Sequence, residues 1–355
     1  MNKHVLVAMS GGVDSAMTAA LLLESGYTLH GATMQLYCGE QDENVCGSKR
    51  DAQDAAMLAN SLGFLHEVVP CTAAFEETVI RRFVDGYVKG ETPNPCIECN
   101  KYMKFDHLLE LAYAHGCDRI ATGHYAQVEY DRQSGRYLLK KPLDLSKDQT
   151  YVLYHLTQEQ LAHTIFPLGK YLKTDVRQMA TARGFSMASK PDSQDICFVP
   201  DGDYVAFLQR YAGVVPQKGN YIDASGKKIG THNGHICYTI GQRKGLGVAF
   251  GQPMYVIDKD ATKNTVTLGT KEQLPITTLF ADDLNWISIE KLDAPIRVSV
   301  KTRYHQPETP ATVSPAENGV IVTLDRPQVA APGQAVVFYD NDVVVGGGTI
   351  RHLER

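Results

Sequence analysis

"VLVAMSGGVDSAMTAALLL", residues 5–23, decides the fold. An apolar run, Val5 to Met9, stops at the turn Ser10-Gly11-Gly12-Val13-Asp14-Ser15. An alanine- and leucine-rich stretch from Asp14 to Ser25 follows and ends at Gly26. This order reads as strand, glycine loop, helix. Glycines let backbone N–H groups close on a phosphate, and a helix N-terminus adds donors and positive dipole. The hydroxyls of Ser10 and Ser15 can add hydrogen bonds. No GxxxxGK[ST] is present, so this is not the loop that grips outer phosphates with a lysine. The bland alternative is a glycine turn with Asp14 or Ser15 as helix cap. Five fixed residues at ordinary usage match by chance in about one chain in a thousand of this length, which favours a phosphate site.

Outward from this unit the pattern continues. Thr28 to Leu36 reads as a strand, Lys49 to Leu62 as a helix capped by Ser48 and closed by Gly63, and Phe64 to Val69 as a third strand. Thr72 opens another helical stretch. Phe105, Leu108, Leu109, Ala112 and Tyr113 recur at helical spacing up to Gly116, and Arg119 to Thr122 is a strand entering Gly123-His124. Strands alternating with helices predict a parallel sheet covered on both faces. After residue 203 the helical period fades into short β-type runs: Gly219 to Ala224, His235 to Ile240, Met254 to Asp258, Thr265 to Leu268, and five more beyond residue 290. The expected architecture is α/β: a Rossmann-like domain over 1–202, a small β-rich domain over 203–275, and a barrel-like β domain over 276–355.

The chain of 355 residues is 43% hydrophobic and 21% charged, which is a globular composition. Its one N-terminal apolar run is too short for a signal peptide or a membrane span, so a cytoplasmic location is the expectation. The net charge of −5 argues against nucleic acid, but residues 203–275 carry nine Lys/Arg against five Asp/Glu, a candidate phosphate-binding patch. There are eight cysteines. In a reducing compartment a spaced pair such as Cys96 and Cys99 points to metal or catalysis rather than a structural staple.

SGGVDS resembles the loop of ATP-pyrophosphatases, which attack the α-phosphate of ATP, release pyrophosphate and leave an adenylated substrate. That resemblance implies an adenine-nucleotide-hydrolase type of sheet with ATP at its carboxyl edge and Mg2+ on the leaving pyrophosphate. Further motifs follow in order: "TPNPCIECNKYMKF" (92–105), "ATGHY" (121–125), "LSKDQTYVLY" (145–154), "KPDSQDICFVPDGDY" (190–204), "GQRKGLG" (241–247), "KTRY" (301–304) and "APGQAVVFY" (331–339). Together they are similar to the tRNA-specific 2-thiouridylase family along the whole chain. The family makes 2-thiouridine at the wobble position of tRNAs for Lys, Glu and Gln.

The resemblance implies roles for single residues. ATP contacts fall on Ala8, Met9, Ser10, Gly11, Gly12, Val13, Asp14, Ser15, Met34 and Gly123. Cys197 matches the cysteine that carries a persulfide. Cys99 matches the one that resolves it, leaving a transient Cys99–Cys197 disulfide for a reductant to clear. A persulfide donor or relay protein is implied as partner, and a monomer is the family expectation. Contacts to tRNA fall on Asn94, Pro95, Cys96, His124, Lys147, Asp148, Gln149, Arg303, Tyr304 and Gln334. Arg303 and Tyr304 suit a splayed base, with a guanidinium beside a stacking ring. Residues 38–48 are expected as a loop over the ATP site, and Arg243-Lys244 as a phosphate grip.

One departure stands out. The family pattern NPDxxC has aspartate, a proposed general acid/base, where this chain has Cys96. A thiol fills that role at neutral pH only with a lowered pKa. Glu98 lies two residues after Cys96, and Asp195 two residues before Cys197. The swap also places three cysteines, 96, 99 and 197, where an iron–sulfur cluster with an open position could bind sulfur. A closed zinc site wants four ligands, and Cys38 and Cys46 fall in another loop. The competing function classes are another ATP-pyrophosphatase, which needs no paired cysteines, and an RNA-binding protein without turnover.

Overall fold

In the computed structural model, residues 3–37, 49–191, 196–248 and 251–354 are described. The opening unit forms as read: strand β1 (His4–Ala8), the glycine turn, then helix α1 (Val13–Glu24). Val5, Leu6 and Val7 are all fully buried. Alternate residues of a strand face opposite sides, so Val5 and Val7 join α1 and helix Lys173–Ala182 on one face. Leu6 joins helix Leu108–Ala114 on the other. Both faces are covered, as a parallel sheet requires.

β2 (Thr28–Gln35), α2 (Lys49–Leu62), β3 (Leu65–Pro70), β4 (Arg119–Ala121) and β7 (Thr164–Ile165) complete this layer, with parallel strand order β3-β2-β1-β4-β7. The order reverses at β1. The crevice beyond the carboxyl ends of β1 and β4 is therefore where a ligand of such a sheet binds. Two helical stretches deviate from the read period. Glu76–Ile80 and Cys99–His107 are wound as wider π turns, a winding that recurs at functional sites.

The hairpin β5 (Gln127–Asp131) and β6 (Arg136–Lys140) was not legible as part of a β domain. Its strands carry polar and half-buried residues, and it joins a sheet built mainly by the far end of the chain. The central sheet has the order β10-β11-β8-β9, from β8 (Gly219–Ile222), β9 (Lys228–His232), β10 (Tyr255–Asp260) and β11 (Thr265–Gly269). The expected strand at His235 to Ile240 is corrected: it starts as a tight turn, His235–Cys237, after Gly234 at φ 128°. Ile236, Tyr238 and Ile240 are buried without a strand ladder, so their alternation records core filling.

The last region closes a six-stranded barrel. β12 (Ile276–Trp286), β15 (Gly319–Gln328), β14 (Thr309–Ala316), β13 (Ile296–Lys301), β16 (Ala335–Asp340) and β17 (Val343–Glu354) pair in that order, and β17 returns to β12. The β5–β6 hairpin extends β17 through Val343 and Lys140. Among the described residues no helix is long and apolar enough to cross a membrane.

Both β-rich parts dock on the segment that leads into Cys96. Tyr87 stacks on Tyr204 with ring centroids 4.4 Å apart, and the His235 ring meets the Val88 carbonyl at 3.1 Å. From the barrel, the Thr92 N–H donates to the Pro332 carbonyl at 2.8 Å, and the Gln334 side chain donates to the Thr92 carbonyl at 2.6 Å. Arg351 pairs with Glu91 at 3.2 Å.

Candidate active site

The glycine loop is shaped by its own hydroxyls. The Ser10 N–H donates to Ser15 Oγ at 3.1 Å, and that hydroxyl donates to the Gly12 carbonyl at 3.0 Å. Gly12 is the N-cap of α1 and offers no side chain to its first N–H groups. The helix end thus presents donors to the crevice, the arrangement that favours an anion. Gly11 sits at φ 68°, and a Cβ there would lie 2.5 Å from the Asp51 carbonyl oxygen. Gly123, after β4, faces the same helix end; a Cβ there would come within 3.0 Å of Asp14. Met9 and Val13 are core side chains, at 3% and 4% exposure, so only their backbone can serve a ligand.

Asp14 is not bare. Lys173 Nζ donates to its two oxygens at 2.8 and 2.7 Å, and the Tyr125 hydroxyl donates at 2.9 Å. Lys190 pairs with Asp51 beside Gly11. Lys173 and Tyr125 were missed in the sequence. Tyr125 closes the ATGHY motif, which was a usable signal, but Lys173 lies 159 residues from Asp14 and carries none.

The second group is the cysteines. Asn94 caps the short helix Pro95–Glu98 by accepting the Cys96 N–H at 3.1 Å, with Pro95 at its first position. Cys96 is exposed, and Cys99 is buried at the start of the π-wound segment. Cys197 is half-buried and packs on the same apolar cluster as Cys99, among Phe75, Phe83, Met103 and Phe198. Met34, near the carboxyl end of β2, packs on this cluster too. Cys71 shares the cluster, and burial pushes its thiol up to about 11. Glu98 lies away from the crevice in a cavity of about 140 Å³ against the barrel, with Lys101, His155 and Asp283; burial raises its carboxyl. Asp195, Cys38, Cys46, the Ser48 cap and the expected loop over 38–48 fall outside the described residues.

The residues expected at tRNA divide into two sets. Burial pushes the Tyr304 hydroxyl up to about 12, and its ring lies 6.0 Å from that of Tyr151. Asp148 accepts from the Thr150 N–H and hydroxyl at 2.9 and 2.6 Å, near Lys301 at 3.8 Å. Gln149 accepts the Tyr125 N–H at 2.8 Å, linking this set to Asp14. Gln334 holds Thr92, and Lys147 ends the turn Leu145–Lys147 beside Asp148. Arg303 instead donates to the Ile240 carbonyl at 3.0 Å, at the root of the 241–247 loop, where Arg243 and Lys244 are exposed. His124 is 7% exposed, between Phe105 and Phe166, with Nδ1 on the Thr122 hydroxyl at 2.7 Å. Burial, then Lys104, holds its pKa well below the usual histidine range. It is a neutral, buried group beneath the crevice.

His155 holds the cysteine helix in place by donating Nε2–H to the Ile97 carbonyl at 2.9 Å. Burial, then Lys101, lowers its pKa to about 3. Below pH 6.5 the unfolded chain takes up a proton that the folded chain refuses, so stability is full above 6.5 and falls as pH drops. By pH 5 the loss is about 2 kcal/mol. Urea unfolding of His155→Gln at pH 7.5 and 5.0 should show a fall smaller by about that amount.

A glycine loop at a helix end, at the reversal point of a parallel sheet, is the arrangement of an α/β enzyme that binds a phosphate-bearing ligand. Residues 3–201 match the family description "tRNA methyl transferase HUP domain", 205–270 its PRC-barrel domain, and 276–350 "Aminomethyltransferase beta-barrel domain". The "tRNA-specific 2-thiouridylase MnmA 1" of Thermoanaerobacter sp. (strain X514) is 50% identical over 361 residues, covering 100% of this chain and 99% of that one. The counterpart from Clostridioides difficile (strain 630) is 47% identical, covering 99% and 98%. The chain belongs to the tRNA-specific 2-thiouridylase family, and is a tRNA-modifying sulfurtransferase.

Proposed function

We propose that the protein uses ATP to activate the wobble uridine of tRNAs for Lys, Glu and Gln, and replaces its C2 oxygen by sulfur from a Cys197 persulfide. The carrying observation is Met34: it sits near the carboxyl end of β2, the edge where this reading seats ATP, and packs on the cluster that holds Cys99 and Cys197. One crevice thus serves both halves of the reaction.

The C2 oxygen attacks the α-phosphate, and pyrophosphate leaves toward the α1 end, where backbone N–H groups take up charge. Mg2+ would travel with the phosphates. Asp14 is the nearest carboxylate in this loop, and Lys173 already neutralises it. The terminal persulfide sulfur then attacks C2 and AMP leaves with the former oxygen. The Cys99 thiolate attacks Cys197 Sγ, the S–S bond to the transferred sulfur breaks, and 2-thiouridine departs, leaving a Cys99–Cys197 disulfide. Outside reductant restores the thiols, and a relay protein resupplies the persulfide. In this reading residues 1–202 carry activation, and 203–275 with 276–355 grip the RNA.

The persulfide route is preferred over an iron–sulfur cluster because Cys99 and Cys197 share one apolar cluster while Cys96 is exposed outside it. Nucleoside mass analysis after incubation with tRNA, ATP, Mg2+ and a persulfide donor should find 2-thiouridine, with AMP and pyrophosphate formed in equal amounts. A protein that contains iron and labile sulfide, and needs all three cysteines, would overturn the route.

A further inference from the structure

His30, Glu67 and His115 form a second cluster of chemistry-bearing side chains, apart from the crevice. His30 is the third residue of β2, Glu67 lies in β3, and His115 ends helix Leu108–Ala114. Both imidazoles direct Nε2 at the same oxygen, Glu67 Oε1, at 2.9 and 2.7 Å. Their rings stack with centroids 4.2 Å apart and planes 23° from parallel. Among the described residues this is the one trio of such ligand atoms lying within 4.8 Å of one another. His30 and Ala32 share the sheet face covered by the helix, and Glu67 pairs in register with Ala32. His66 points to the other face, with Nε2 2.8 Å from the Thr33 hydroxyl, and is not a fourth donor. His30 precedes the carboxyl end of β2 by five residues, about 16 Å of strand.

We propose that His30, Glu67 and His115 are a divalent-metal site that takes Zn2+, with water as fourth ligand. Two imidazole nitrogens and one carboxylate oxygen are a donor set that zinc accepts in tetrahedral geometry. Each nitrogen now lies on the carboxylate at hydrogen-bond distance. When the cation enters, the nitrogens give up their protons and the carboxylate turns its oxygen onto the metal. His115 is exposed, so an ion reaches the group from solvent. Bound metal would tie β2, β3 and the turn into β4 together at the end of the sheet away from the glycine loop.

The test uses the full chain, reduced and freed of metal, titrated with Co2+ and then Zn2+. The wild-type-minus-His115→Ala difference spectrum should show d–d bands without sulfur-to-metal charge transfer, which separates this site from the eight cysteines. Zn2+ should displace that Co2+ and raise the thermal midpoint. His115→Ala and Glu67→Gln should each weaken the site by at least about a hundredfold. Both variants should thiolate tRNA at the wild-type rate in ATP and Mg2+ with no Co2+ or Zn2+ added, and His115→Ala, at an exposed helix end, should melt like the wild type freed of transition metal. Absence of Co2+ binding to the wild type, or binding kept in both variants, would overturn the proposal. So would a difference spectrum with sulfur charge transfer.

Discussion

Cys197→Ser should stop 2-thiouridine formation, by at least about a thousandfold, while ATP-dependent release of pyrophosphate persists. A hydroxyl cannot carry a persulfide, but it leaves the glycine loop, Lys173 and Gly123 untouched. Cys99→Ser should instead load the persulfide on Cys197, detectable as added sulfur mass before ATP and tRNA are supplied, and then stall as a Cys197–tRNA disulfide adduct that a reductant releases. Cys71→Ala is the matched control. Its thiol packs on the same cluster, and burial keeps it protonated and unreactive at neutral pH. Activity lost in Cys71→Ala to the same degree would mean that the cluster is merely fragile. Intact thiolation in Cys197→Ser would end the persulfide reading.

Gly11→Ala should have the second large effect, on the nucleotide half. The new Cβ would meet backbone atoms of Asp51 at 2.5, 2.8 and 3.0 Å, and backbone cannot swing aside as a side-chain tip can. At φ 68° alanine also pays about 1 kcal/mol of left-handed strain. The loop must shift away from α2, taking the Ser10 and Ser15 hydrogen bonds with it, and pyrophosphate release should fall about a hundredfold or more. Gly63→Ala gives the comparison. It stands at φ 81° with nothing within 4 Å of the added carbon. It should cost only the strain, about 1 kcal/mol in unfolding, with unchanged turnover. Equal turnover in the two variants would show that left-handed strain alone, and not the crowding at Asp51, governs the loop.

The parts of this fold that could be read from the chain are those set by neighbours in sequence. The strand–turn–helix unit at the start and the helix Lys49–Leu62 before Gly63 appear where periodicity and glycine put them. The hairpin at 127–140 escaped because its strands are polar and half-buried, and the sheet they extend is built by β17, two hundred residues away. The stretch 235–240 misled for the opposite reason: it alternates like a strand because three of its side chains fill a core. At the site, the glycine loop announced itself, whereas the kinship of Cys99 with Cys197 came from resemblance. That both pack on one apolar cluster is a tertiary fact. Lys173 and the buried state of His124 could not be read at all, since each depends on what distant elements place around it.

The docking of the barrel onto Thr92 carries a consequence for how such an enzyme can be taken apart. The strip from Tyr87 to Asn94 is gripped by the central sheet at one end and by the barrel at the other, through Val88 and Thr92. Its next residues are the cysteine helix. The far domains therefore act as a jig that sets the position of the cysteine helix. A chain shortened after residue 275 would keep every cysteine and the whole glycine loop, yet the helix Pro95–Glu98 that leads into Cys99 would have lost its outer anchor. In this architecture the barrel and the aim of the cysteine helix are one inheritance, and the barrel cannot be swapped for another module without re-aiming that helix.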